Sequence, residues 1–111
     1  MKLTAEVLKS LPKVLLHEHL DGVLRPTTVI DLARSVNYQG LPTENPDQLA
    51  QWFHRGANQG SLPKYLEGFA HTIAVMQTEE ALERVAYEQA EDAKSDGVVY
   101  FETRFAPLFH T

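Results

Sequence analysis

Val14-Leu15-Leu16-His17-Glu18-His19-Leu20-Asp21-Gly22 is the stretch that decides how this chain is read. Pro12 precedes it, and the apolar run is short. Both features favour a buried strand, Lys13 to His17, over a buried helix. An unbroken apolar run of this kind suits a parallel strand covered on both faces. Side chains alternate along a strand, so residues two apart share a face. His17 and His19 therefore point to one side, at the strand end, where two imidazoles can reach one metal ion. Zinc takes imidazole nitrogens at about 2.0–2.1 Å and, in catalytic sites, usually three protein ligands. The plainer reading is a pair of histidines hydrogen-bonded at the rim of a sheet.

Asp21 admits three roles. It orients a substrate, supports a ligating histidine from behind, or shapes a turn with Gly22, since Asp-Gly is a common turn pair. Glu18 falls on the opposite face from the histidines and reads as structural or solvated.

Bulk properties narrow the classes. The 111 residues suit one ordinary domain, and 43% of them are hydrophobic, as in globular chains. The net charge is −5, from 10 basic and 15 acidic residues. Nucleic-acid surfaces are normally basic, so no nucleic-acid partner is expected. There is no cysteine, which excludes disulfides and thiolate metal sites. No apolar run nears the ~18–20 residues of a membrane helix. The N-terminal residues lack the apolar core of a secretory signal. No membrane partner and a cytoplasmic location are expected.

The remaining chain reads as helices and one further strand. Thr4 caps a short helix that stops before Pro12. Pro26 opens a helix with Val29, Leu32, Ala33 and Val36 on one face. Asn37 to Thr43 is a loop. Asn45 caps the next helix, with Pro46 at its first position and Gln48 reaching back. Leu49, Trp52 and Phe53 form its apolar face. Arg55 to Gly60 reads as a polar break.

Ser61 caps a helix with the stripe Leu62, Tyr65, Leu66, Phe69, Ile73 and Met76. Such stripes usually mean core; the other reading is the wall or lid of a pocket. Thr78 caps a helix whose face is Leu82, Val85, Ala86, Gln89 and Ala93, with exit at Gly97. Val98 to Phe105 is a second strand. Glu102 and Arg104 share one of its faces and read as an ion pair, with each other or with the neighbouring strand. His54 reads as a solvated loop residue, His71 as a packing or surface residue. His110 lies near the chain end. None of the three has ligand spacing. A connection this long joins parallel strands, giving an α/β fold.

Pro12 to Gly22 resembles the opening of the adenosine deaminase family. The segments Ser61-Leu62-Pro63-Lys64-Tyr65-Leu66 with Phe69, Arg84 to Glu88, and Val98 to Pro107 are similar to that family in the same order. The resemblance implies the N-terminal portion of a (β/α)₈ TIM barrel, its first two strands with the helices between them. It implies one Zn²⁺ per complete active site, held in part by His17 and His19. It assigns substrate contact to His19, Asp21, Leu62, Tyr65, Leu66 and Phe69. Tyr65 stands where phenylalanine is frequent, and a ring is kept.

The implied reaction is hydrolytic deamination of adenosine, and of deoxyadenosine, to the inosine product plus ammonia. The partner is a small purine nucleoside. A TIM barrel takes ~250 residues. The resemblance therefore makes residues 1–111 a partial barrel domain, truncated at its C-terminus. Its partner would be the remaining part of the same enzyme. The third histidine ligand, the general-acid glutamate, a further histidine and an aspartate pair are expected on later strands. No catalytic residue is expected within 1–111. An adenine deaminase is the nearest alternative, although Ile-Glu-Gly there replaces Leu20-Asp21-Gly22. A non-catalytic binding module is the other.

Overall fold

The computed structural model describes residues 2–110; Met1 and Thr111 lie outside the described residues. In order, the elements are α1 (Ala5–Ser10), β1 (Lys13–His19), a 3-10 turn (Leu20–Gly22), α2 (Pro26–Ser35), α3 (Pro46–Ala57), α4 (Leu62–Val75), α5 (Glu79–Ser95), β2 (Val98–Arg104) and a 3-10 turn (Pro107–His110). β1 extends two residues beyond the expected end, so both histidines lie inside the strand.

β1 and β2 pair in parallel, as a long helical crossover requires. The register is irregular. Leu15 pairs with Phe101 and Glu18 with Thr103, so β1 spends three steps where β2 spends two. One extra residue is accommodated between Leu15 and Glu18, as in a β-bulge. The bulge frees backbone groups from the ladder. Arg104 Nη2 donates to the Leu16 carbonyl at 2.9 Å. The expected Glu102–Arg104 ion pair does not form. Arg104 turns to this carbonyl, and Glu102 accepts instead from the Tyr100 hydroxyl at 2.7 Å.

The core is helical. Val29 (α2), Leu49 (α3), Val75 (α4) and Met76 are all 0% exposed. Leu20 and Val85 join the same cluster. The expectation of a strand covered on both faces fails in this chain, where Val14 and Leu16 are 54% and 61% exposed. Two strands bury little of each other's side-chain surface without further sheet or helix laid over them. The α4 stripe is corrected in part. Leu62, Tyr65 and Leu66 are exposed and Phe69 and Ile73 half-buried, while Met76 is buried as expected, with Thr72 and Val75 buried beside it. On α5 Ala86 is exposed, and the buried face holds Ala81, Val85, Glu88 and Gln89.

Helix ends follow local chemistry. Thr4, Asn45 and Thr78 each accept a backbone N–H through the side chain. Ser61 occupies the cap position of α4 without a side-chain bond. Gln48 does not reach back to Asn45. Thr43 Oγ1 takes the Asn45 N–H at 3.1 Å and itself donates to Gln48 Oε1 at 3.0 Å. The polar break is shorter than expected, because Arg55, Gly56 and Ala57 complete α3. His54 is thus a helical residue, next to Asn58.

Candidate metal and nucleoside site

The end of β1 aims the two imidazoles together. His17 Nε2 and His19 Nε2 stand 3.1 Å apart, with ring centroids at 4.9 Å and planes at 72°. Two nitrogens on one tetrahedral zinc lie about 3.3 Å apart when each bond is about 2.0–2.1 Å. The donor pair therefore fits one zinc ion, and both rings are chemically suited to it. Among the described residues, no cluster of three or more histidine, aspartate or glutamate side chains completes such a site. Glu18 stands with Leu15, Gln89 and Phe101 on the α5 side, away from the imidazoles.

The strand ends directly in the 3-10 turn Leu20–Gly22, which draws Asp21 inward. Asp21 is 5% exposed. Its Oδ1 has no hydrogen-bond partner among the described residues. A buried, unsatisfied carboxylate oxygen is costly and calls for a partner, which water, an ion or a ligand can supply. Asp21 Oδ1 lies 4.0 Å from His19 Nδ1, too far for a hydrogen bond. Asp21 therefore does lie in a turn with Gly22, as one of its three expected roles, and its side chain is buried there. It forms part of the floor of a cavity of about 680 Å³ between the turn, α3 and α4.

Trp52, Phe53, Tyr65 and Phe69 line that cavity, together with Gly22 and Thr72. Leu62 and Leu66 stand outside it, on the exposed face of α4. The histidine pair also stands outside; Asp21 and Phe69 join the two regions. Phe69 meets His19 edge-on, with centroids 6.4 Å apart.

Side chains that spacing alone did not single out brace the site. Glu88 on α5 is buried and accepts from Thr28 Oγ1 at 2.7 Å and from Arg84 Nε at 2.9 Å. Arg25, at the position before α2 and just after the Asp21 turn, reaches Glu88 at 3.3 Å and Asp92 at 2.8 Å. These bonds tie the turn to α5. The signal was available only as a buried-face glutamate on an otherwise apolar helix stripe.

His71 packs, as one of its two expected roles. Its Nδ1 contacts the Tyr38 hydroxyl at 2.9 Å, and its ring lies against Trp52. Burial holds its pKa below the ordinary histidine value. His110 Nδ1 bonds to the Met76 carbonyl at 2.9 Å. The hydrogen bond to Glu102 raises the Tyr100 phenol above its ordinary pKa. No helix among the described residues is long and apolar enough to cross a membrane.

Comparison with known proteins identifies the family. The family model for adenosine deaminase matches residues 12–111. The adenosine deaminase of Mycobacterium ulcerans (strain Agy99) is 56% identical over 107 residues, 96% of this chain and 30% of that protein. That of Mycobacterium avium (strain 104) is 56% identical over 108 residues, 97% of this chain and 30% of that one. The chain thus spans about 30% of the length of the curated relatives it matches.

Among solved structures, the Arabidopsis N6-mAMP deaminase MAPDA superposes with a TM-score of 0.70 at 28% identity, covering 92% of this chain and 29% of that one. The ADAL–IMP complex gives 0.69 at 28% identity, covering 94% and 29%. Two parallel strands with a helical crossover, a histidine pair closing β1 and a family match over residues 12–111 converge: this chain belongs to the adenosine deaminase family.

Proposed function

We propose that this chain is the opening part of a zinc-dependent adenosine deaminase, which converts adenosine or deoxyadenosine to the corresponding inosine and ammonia. The observation that carries the reading is the pair of imidazole nitrogens 3.1 Å apart, two residues from a buried and unpartnered carboxylate. In this reading His17 and His19 supply two of the ligands of a single Zn²⁺. When bound, the ion supplies acidity, lowering the pKa of a coordinated water to about 7.

The chain's own residues bind and orient. Asp21 Oδ1 is a hydrogen-bond acceptor that lacks a donor, and a ribose hydroxyl is such a donor. His19 would contact the nucleoside from the same turn. Tyr65 and Phe69 present rings for stacking against a purine and exclude water from it. Leu62 and Leu66, exposed on α4, extend that apolar cover outward. Proton transfer to the ring is left to a glutamate on a later strand of the whole enzyme. No residue of 1–111 is given that role, and this segment alone is expected to be inactive. A cytoplasmic setting goes with a small soluble substrate.

A nucleotide substrate is the second reading, because a structural neighbour is named as an N6-mAMP deaminase. The curated relatives at 56% identity, named adenosine deaminases, favour the nucleoside. The test is turnover by the zinc-loaded whole enzyme of adenosine, adenine, AMP and N6-methyl-AMP, followed by ammonia release. Adenosine is expected to be the preferred substrate. Preference for adenine or for either nucleotide overturns the assignment.

A further inference from the structure

Gly22 lacks a side chain where another residue comes closest. A Cβ at position 22 would meet Phe69 Cζ at 3.2 Å and Cε1 at 3.3 Å, and His19 Cβ at 3.7 Å. The Phe69 ring thus lies over the turn that carries Asp21, nearer than a side chain at 22 would comfortably permit. The same ring meets His19 edge-on at 6.4 Å and 82°. It also meets Tyr65 at 6.0 Å and 66°. With the His17–His19 contact, four rings run from the outer face of α4 to the imidazole pair.

His19 needs such a support. A ligating histidine usually donates its second ring nitrogen to a carboxylate, carbonyl or water, which fixes the ring. Asp21 Oδ1 stands 4.0 Å from His19 Nδ1, beyond hydrogen-bond range. Among the described residues, the ring's only hydrogen-bonding contact is Nε2 to His17. Its orientation therefore depends on packing.

We propose that Phe69 is a positioning residue for His19, and that position 22 is glycine so that Phe69 can reach it. The consequence for metal rests on the zinc reading above; the ring contact does not. Phe69 also lines the cavity floored by Asp21. A ligand that displaces Phe69 would then act on the metal pair through His19.

Three measurements on the whole enzyme test this. In wild type labelled at phenylalanine and histidine, NOEs are expected between the Phe69 and His19 rings, with or without zinc. Phe69→Leu should release zinc to a chelator about 10-fold faster, the low end for loss of a ligand's supporting partner. It should also shift the visible d–d bands of the cobalt-substituted enzyme. Gly22→Ala should speed zinc release strongly in wild type and weakly in Phe69→Leu, where the shorter side chain leaves room for a methyl group.

The proposal is overturned by absence of the NOEs, by unchanged zinc release in Phe69→Leu, or by an equal Gly22→Ala effect in both backgrounds. If the variants do not fold, the wild-type NOEs still decide. A wild type that retains no zinc overturns the metal reading, and the NOEs then decide the ring contact by themselves.

Discussion

Arg104 on β2 donates from Nη2 to the carbonyl of Leu16 on β1 at 2.9 Å, and that carbonyl belongs to the peptide leading into His17. The bond sits where β1 carries its extra residue. Arg104→Met is expected to leave the carbonyl to water and loosen the bulge. The cost in stability should be modest, about 1 kcal/mol, since the group is exposed. The effect on the site should be larger relative to that cost. Zinc release from the whole enzyme should quicken while the urea midpoint moves little. A large loss of stability with unchanged zinc release would show that the bond only holds the strands together.

Glu88 should be the most sensitive polar residue on α5. Glu88→Ala leaves the Thr28 hydroxyl, 1% exposed, without its partner and removes an acceptor from Arg25 and Arg84. An unsatisfied buried hydroxyl costs about 1–3 kcal/mol. Equilibrium denaturation of the whole enzyme reads this directly. Pairing with Thr28→Val should recover part of the loss, because the orphaned hydroxyl is then gone.

Gly97→Ala should destabilise by more than the usual glycine substitution. Gly97 has φ 77°, where a Cβ costs about 1–2 kcal/mol. That Cβ would also run into the carbonyls of Lys9 and Leu11, which Lys13 Nζ already gathers. Rigid backbone leaves little room for relief. A melting temperature within error of wild type would contradict this.

His71 makes stability depend on pH. Its pKa is held down in the fold by burial, while the unfolded chain keeps the ordinary 6.5. The unfolded state therefore binds the proton first as pH falls below about 6.5. Stability from this residue is full above that value and declines as pH drops through the window beneath it. Protonation also makes both ring nitrogens donors, so Nδ1 can then only donate to the Tyr38 hydroxyl oxygen 2.9 Å away. His71→Gln should flatten the dependence of the urea midpoint between pH 7.5 and 5.5. An unchanged slope would assign it to other groups.

Metal and substrate should separate by residue. His17→Ala and His19→Ala are each expected to lose zinc on dialysis of the whole enzyme, measured by metal analysis. Asp21→Ala is expected to keep its zinc and to raise KM for adenosine, because its carboxylate has no contact with the imidazole pair closer than 4.0 Å. Stoichiometric zinc in a histidine variant would count against the ligand pair. Unchanged kinetics in Asp21→Ala would count against the nucleoside contact.

Much of the architecture was legible because its causes are local. Alternation along a strand put His17 and His19 on one face, and Thr4, Asn45 and Thr78 announced their helices through capping chemistry. The long helical stretch between two apolar runs required a parallel pair. The errors arose where a pattern has more than one physical cause. The α4 stripe of Leu62, Tyr65 and Leu66 has core spacing but points away from the core, because α4 packs through Thr72 and Val75. Glu102 and Arg104 share a face, yet the bulge offered Arg104 a free carbonyl.

The sequence by itself determined the element order, the parallel pairing and the two convergent imidazoles, since each follows from periods of two or 3.6 residues and from side chains within one turn. Tertiary structure alone decided that Asp21 is buried with an unpartnered oxygen, that Glu88 clasps Thr28 across 60 residues, and that Phe69 lies over Gly22 against His19. Those facts depend on how distant segments meet, and such meetings are set by the packing of whole helices, which no local spacing encodes.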